Sequence, residues 1–170
     1  MFKRLLPLLF VALCWITVTP PVAARPLQPV PVAAIFSFPG SRPANLGLTR
    51  DRLAACPPTP NCVSSLSLDP THQVEPLRYT SSPEQAFTTL KHAIAALPRT
   101  QVISETDSYL YAEFTSPLMG FVDDVEFYVD KPAGVIHVRS ASRLGESDLG
   151  ANRKRVELIR TKLQAAENAR

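Results

Sequence analysis

The 170-residue sequence predicts an α+β fold: an antiparallel β-meander of four to five strands with two helices packed on one face. Three observations predict it. "SSPEQAFTTLKHAIAALP" has the caps and stripe of an amphipathic helix. Four strand-like runs follow it with only short turns between them, the spacing of a meander. A second amphipathic segment closes the chain, and two helix stripes need a sheet face to cover them.

In the first helix Ser82 is placed to cap, Pro83 suits the first turn and Gln85 completes a capping box. Phe87, Leu90, Ile94 and Leu97 share a face, and Pro98 ends the element. His92 points away from that face. The strand runs are Thr100–Glu105, Ser108–Ser116, Phe121–Asp130 and Gly134–Ser142. An earlier strand is expected between Gln73 and Thr80, confined to a sheet edge by Pro76. The closing helix is expected to start near Ser147 or Asp148 and run to about Ala166, with Leu149, Val156, Ile159 and Leu163 as its stripe.

Upstream of the domain the chain reads differently. Lys3 and Arg4 precede the apolar run Leu5 to Thr19, which has signal-peptide length and falls short of the roughly 20 residues of a spanning helix. Val22 and Ala24 offer small residues for a peptidase, so residues 1–24 are expected to be a signal peptide cleaved after Ala24. An uncleaved anchor is the alternative, and the only membrane link expected. The expected location is a periplasm or a thylakoid lumen. Residues 25–55 are rich in proline and have no sustained period, so they read as an extended tether in which Ile35, Phe36 and Phe38 dock locally. Residues 56–170 form the single domain. Removing the signal leaves 16 basic against 15 acidic residues, a net charge of +1. That balance gives no electrostatic case for nucleic acid.

Cys56 and Cys62, in "CPPTPNC", read as a disulfide in an exported chain. A polyproline path between them would be far too long for a bridge, so the ring must turn near Thr59-Pro60-Asn61, with a cis proline as one way to do so. A redox role lacks the C-x-x-C spacing, and two thiols alone do not complete a metal site.

The last hairpin carries the polar residues of interest. With a turn of two or four residues, Asp130 opposes Val135, Glu126 opposes Arg139, Tyr128 faces His137 and Val122 faces Arg143. One face then holds Asp124, Glu126, Tyr128, His137, Arg139 and Arg143, and the other holds the apolar residues. Asp123 interrupts the apolar face opposite Ser140 and Ser142. Asn152 interrupts the stripe of the closing helix, flanked by Arg153 and Arg160. A carboxylate and an amide in such places require specific partners.

"CPPTPNCVSS", "FVDDVEF" and "VRSASRLGESDLGANRKRVE" together resemble the domain-of-unknown-function family 1499, found in bacteria and photosynthetic organelles. The resemblance runs from about Cys56 to Arg160. It implies that Cys56, Cys62, Asp123, Asp124, Arg139, Ser140, Ser142, Arg143, Gly145, Asp148, Gly150, Asn152 and Arg153 define the family, and it implies no activity. Glu146 stands where an aromatic residue is expected, and Phe87 where a tryptophan is.

Three functions fit this pattern. In the first, an exported binding or assembly module binds a protein or a small anionic ligand. Its candidate anion site is Arg139, Ser140, Ser142, Arg143, Asn152 and Arg153 near a helix start, with no catalytic residue, metal or cofactor. In the second, Asp123, Asp124, Glu126 and Asp148 hold a hard cation for hydrolysis with His137 as base, although adjacent strand residues point to opposite faces. In the third, these four acids belong to a structural clasp: Asp123 or Asp124 pairs with Arg143, Asp148 caps the closing helix, Asn152 ties that helix to the strand ends, and Gly145 and Gly150 allow a tight turn.

Overall fold

The computed structural model describes residues 36–169. The expected signal peptide, its cleavage point and the start of the tether lie outside the described residues. The element order is β1 (Cys62–Ser64), β2 (Leu77–Arg78), α1 (Pro83–Ala95), β3 (Thr100–Glu105), β4 (Tyr109–Thr115), β5 (Val122–Asp130), β6 (Val135–Ser142) and α2 (Ala151–Asn168). The sheet is antiparallel in the order β1-β6-β5-β4-β3, and β2 also pairs with β6. This is the expected α+β meander, with one addition. β1 joins its far edge through Cys62, Val63 and Ser64, in a stretch too short to show a period.

Local chemistry explains the elements. Ser82 Oγ accepts the Gln85 N–H at 3.3 Å and starts α1, with Pro83 in the first turn. Between β5 and β6 the turn has four residues, and Gly134 closes it at φ 66 by donating its N–H to Asp130 O. That length sets the expected register: Glu126 pairs with Arg139, Tyr128 with His137 and Asp130 with Val135. Cys56 and Cys62 are bridged with Cα atoms 5.6 Å apart. No peptide bond among the described residues is cis, so the ring turns without a cis proline. Closing so short a loop contributes about 2 kcal/mol by chain entropy.

Both helices pack on one face of the sheet. Leu90 and Ile94 of α1 and Val156, Ile159 and Leu163 of α2 close over Leu110, Val125, Phe127, Ile136 and Val138. α2 begins at Ala151, three residues after Asp148, because Leu149 (φ 53) and Gly150 (φ 79) are left-handed and cannot be helical. Leu149 therefore leaves the expected stripe and is 88% exposed.

The second face of the sheet is covered by chain without regular structure. Leu46, Leu48 and Leu53 pack on Tyr109, Tyr111 and Tyr128. Phe36 N donates to Leu118 O at 3.1 Å, and the Phe38 ring lies 6.0 Å from that of Phe121. Residues 36–55 thus lie along the sheet as a strap.

Candidate functional site

The two faces of the β5–β6 hairpin carry two separate polar clusters. The first lies under α2. Asn152 is fully buried and uses its whole amide. Its Oδ1 accepts from Ser140 Oγ and Arg155 Nη1, both at 2.6 Å, and its Nδ2 donates to Asn61 O and Ser142 Oγ, both at 2.9 Å. Arg155 reaches past it to pair with Asp123 and lies over the Phe114 ring, 5.1 Å from the centroid. Asp148 accepts the Gly150 N–H at 2.9 Å and the Asn152 N–H at 2.7 Å, so it caps α2 although it stands before the helix. Burial raises the Asp148 carboxyl, but those backbone donors outweigh it and hold the group below its ordinary value. Asn61 adds the last tie, donating Nδ2–H to Gly145 O at 2.5 Å.

The second cluster lies under the strap. Arg143 Nε donates to both oxygens of Asp124, at 3.1 and 3.0 Å, and its Nη2 donates to Asp124 Oδ1 at 2.7 Å and to Glu113. The Tyr111 hydroxyl sits 2.5 Å from Asp124 Oδ1 and 2.9 Å from Glu113 Oε1, and accepts from Arg143 Nη2 at 3.1 Å. Arg42 of the strap pairs with Glu113 at 2.6 Å. Beside this group Glu126, fully buried, takes Arg139 Nη1 at 3.2 Å, the Tyr109 hydroxyl at 2.8 Å and the Gly47 N–H at 2.8 Å. Gly47 has φ 100, which a residue with a Cβ resists, so glycine is what lets the strap turn its N–H onto the carboxylate. Burial first, then the neighbouring carboxylates, raise the Tyr109 and Tyr111 hydroxyls well above the ordinary range, so both stay protonated donors. The hydrogen bonds of Asp124 push the Arg143 guanidinium further up.

The six residues of the expected anion site do not converge. Ser140, Ser142 and Asn152 lie under α2, while Arg139 and Arg143 lie under the strap, because alternate strand residues face opposite ways. Arg153 is on neither side: it donates to Gln73 O at 2.6 Å and Thr71 O at 3.0 Å. The four acids separate in the same way. Asp123 and Asp148 are on the helix side, Asp124 and Glu126 on the strap side. No group of three metal-ligating side chains occurs among the described residues. His137 contacts Ser65 Oγ at 3.0 Å and Asp130 at 3.5 Å, away from both acidic pairs.

Where the helix-side cluster reaches the surface, a cavity of about 420 Å³ opens between β5, the β6–α2 loop and the start of α2. Phe121, Leu144 and Leu149 form its apolar walls, and Asp123, Ser142 and Asp148 its polar floor. A family model described as "Protein of unknown function (DUF1499)" matches residues 52–163. The chain belongs to the DUF1499 family. No curated protein matches it. The family match takes in both sides of the hairpin and the disulfide, whereas strap residues 36–51 lie before it.

Arg155 is one site residue that the DUF1499 sequence did not single out. It stands three positions after Asn152, hence on the same side of α2, and Asp123 needed a cation. Tyr111 and Glu113 were also missed. They alternate on β4 opposite Glu126 and Asp124, so the strand pairing places them.

Proposed function

We propose that the protein is an exported, non-catalytic binding module, and that its binding site is the cavity over the hairpin rather than the arginines themselves. The single observation that carries this reading is the 420 Å³ cavity with an apolar wall and an acceptor-rich floor. An apolar pocket with a few converging polar groups is the usual form of a small-ligand site. Leu149 supports it: a leucine at φ 53 and 88% exposed beside the cavity gains nothing for the fold. The disulfide and the basic-apolar N-terminus support export.

The floor decides the ligand's polarity. Arg139, Arg143 and Arg155 are each engaged by a carboxylate, so an anion would have to displace one. Asp123, Asp148 and Ser142 line the cavity and, beside the donors they already take from Arg155, the Gly150 and Asn152 N–H groups and Asn152 Nδ2, keep lone pairs for a further donor. A ligand with an apolar body and an ammonium or hydroxyl head fits these groups.

Hexylammonium, hexanol and hexanoate share a body and differ in the head, so together they test the assignment. Hexylammonium and hexanol are expected to shift the methyl NMR signals of Leu144 and Leu149 and to raise Tm, with hexanoate inert. The exposed-residue variant Leu149→Ser is expected to weaken hexylammonium binding about tenfold, the effect of losing part of one leucine's burial. Preferential binding of hexanoate would reinstate the anion reading, and no binding of any of the three would end the binding reading. Intact mass of the mature protein checks export, with a chain beginning at Arg25 expected.

A further inference from the structure

A second cavity, about 530 Å³, opens beside the disulfide on the other side of β1. Nothing in the hairpin site uses it. Its polar wall contains a buried histidine with one nitrogen unused. His72 is only 5% exposed. Its Nδ1 lies 2.9 Å from Cys62 O, and a carbonyl can only accept, so Nδ1 carries the hydrogen. On the neutral ring Nε2 is then an acceptor. Its nearest carboxylate oxygen, Asp69 Oδ2, is 3.9 Å away, beyond hydrogen-bond reach and itself unable to donate. The other oxygen, Asp69 Oδ1, accepts the Thr71 N–H at 2.9 Å.

Two acceptors at that spacing, both lining a cavity, suit one nitrogen carrying two or three hydrogens, set about 2.9 Å from each. A primary ammonium has that form and also answers the charge of Asp69. Arg52 lines the same cavity. Its side chain is exposed and makes no hydrogen bond or ion pair with any described residue. Leu53, Pro57 and Leu66 give the same cavity apolar lining, with Ser64 and Ser67 among its polar residues.

We propose that this cavity binds a small zwitterion of the amino-acid or short-peptide class, its ammonium between His72 and Asp69 and its carboxylate on Arg52. The apolar lining takes the side chains. The ring of Cys56 and Cys62 fixes the carbonyl that sets the His72 tautomer.

L-leucine and the dipeptide leucyl-leucine serve as probes for the test, with N-acetylated and C-amidated forms of each. Binding is read from the His72 imidazole resonances and by calorimetry. At least one free zwitterion is expected to move those resonances, and each capped form to bind at least tenfold more weakly. Arg52→Ala and Asp69→Asn change exposed side chains, and the amide introduced by the second keeps an oxygen for the Thr71 N–H. Arg52→Ala is expected to weaken the zwitterion about tenfold and leave the amidated form unchanged. Asp69→Asn is expected to weaken the zwitterion and leave the N-acetyl form unchanged. Capped and free forms binding equally, or none of them moving the His72 signals at millimolar concentration, would overturn the proposal.

Discussion

Arg143→Met is expected to cost about 3–5 kcal/mol of folding stability, measured by urea denaturation. Arg143 and Asp124 are both nearly inaccessible, and the guanidinium touches that carboxylate through Nε and Nη2. Without it Asp124 and Glu113 converge on one Tyr111 hydroxyl, which can donate to only one of them at a time. An unpaired buried carboxylate is far costlier than the lost contact alone. Lysine would not substitute, because a point charge cannot reproduce the fork that spans Asp124, Glu113 and Tyr111. The double variant Asp124→Asn with Arg143→Met should recover part of the loss, since it removes the orphan charge. The strap should respond as well. Arg42 and Pro39 O both meet this cluster, so faster amide exchange at Gly47 is expected in Arg143→Met. Burial raises the Glu113 carboxyl, but hydrogen bonds from Arg42, Arg143 and Tyr111 outweigh it and hold the group below its ordinary value. Its contribution is therefore present above its unfolded value and lost as pH falls through the folded one, and the variant should lose part of that acid sensitivity. A change under about 1 kcal/mol would mean that the pair behaves as a solvated surface bridge.

The hairpin that holds these pairs was legible because β5 and β6 alternate from Asp124 to Asp130 and from Ile136 to Arg139, and a four-residue turn fixes their register. The same alternation puts Arg139 and Arg143 on the face away from Ser140 and Ser142. Reading the four as one anion site ignored that period. β1 was not legible, since three residues carry no periodic signal. The docking of Phe36 and Phe38 was legible, but the packing of the rest of the strap was not. Its attachment to Glu126 is a backbone N–H, which composition does not reveal, and its apolar residues meet tyrosines on a face that reads as polar. Asp148, Leu149 and Gly150 read as the first turn of α2 because the stripe extends backward to Leu149. The left-handed backbone at Leu149 and Gly150 overrides the period there.

Asn152→Ala is expected to cost about 2 kcal/mol, the scale for removing one partner of a buried hydrogen-bonded group, read by the same urea titration. The amide joins segments distant in sequence: Asn61 beside the disulfide, Ser140 and Ser142 on β6, and Arg155 on its own helix. Alanine takes the acceptor from the buried Ser140 hydroxyl and one of two donors from the Asn61 carbonyl, which keeps the Ser142 N–H at 3.0 Å, while Arg155 Nη1 keeps Ser140 Oγ at 3.0 Å. Asn152→Asp separates hydrogen bonding from shape. It keeps an acceptor for Ser140 and Arg155 but turns a carboxylate oxygen toward the Asn61 carbonyl, where a donor had been, so it should do no better than alanine. Asn152→Leu fills the volume and extends the Val156, Ile159, Leu163 stripe. If the amide acted only by packing, leucine would be neutral or stabilising. A loss on leucine as large as on alanine is therefore the outcome that identifies hydrogen bonding as the tie between α2, the strand ends and the disulfide loop. Asp123 supplies the cross-check. Among the described residues its carboxylate meets this network through Arg155, so Arg155→Met should lower stability through an orphaned Asp123 while Asn152 keeps its bonds to Asn61 and Ser142.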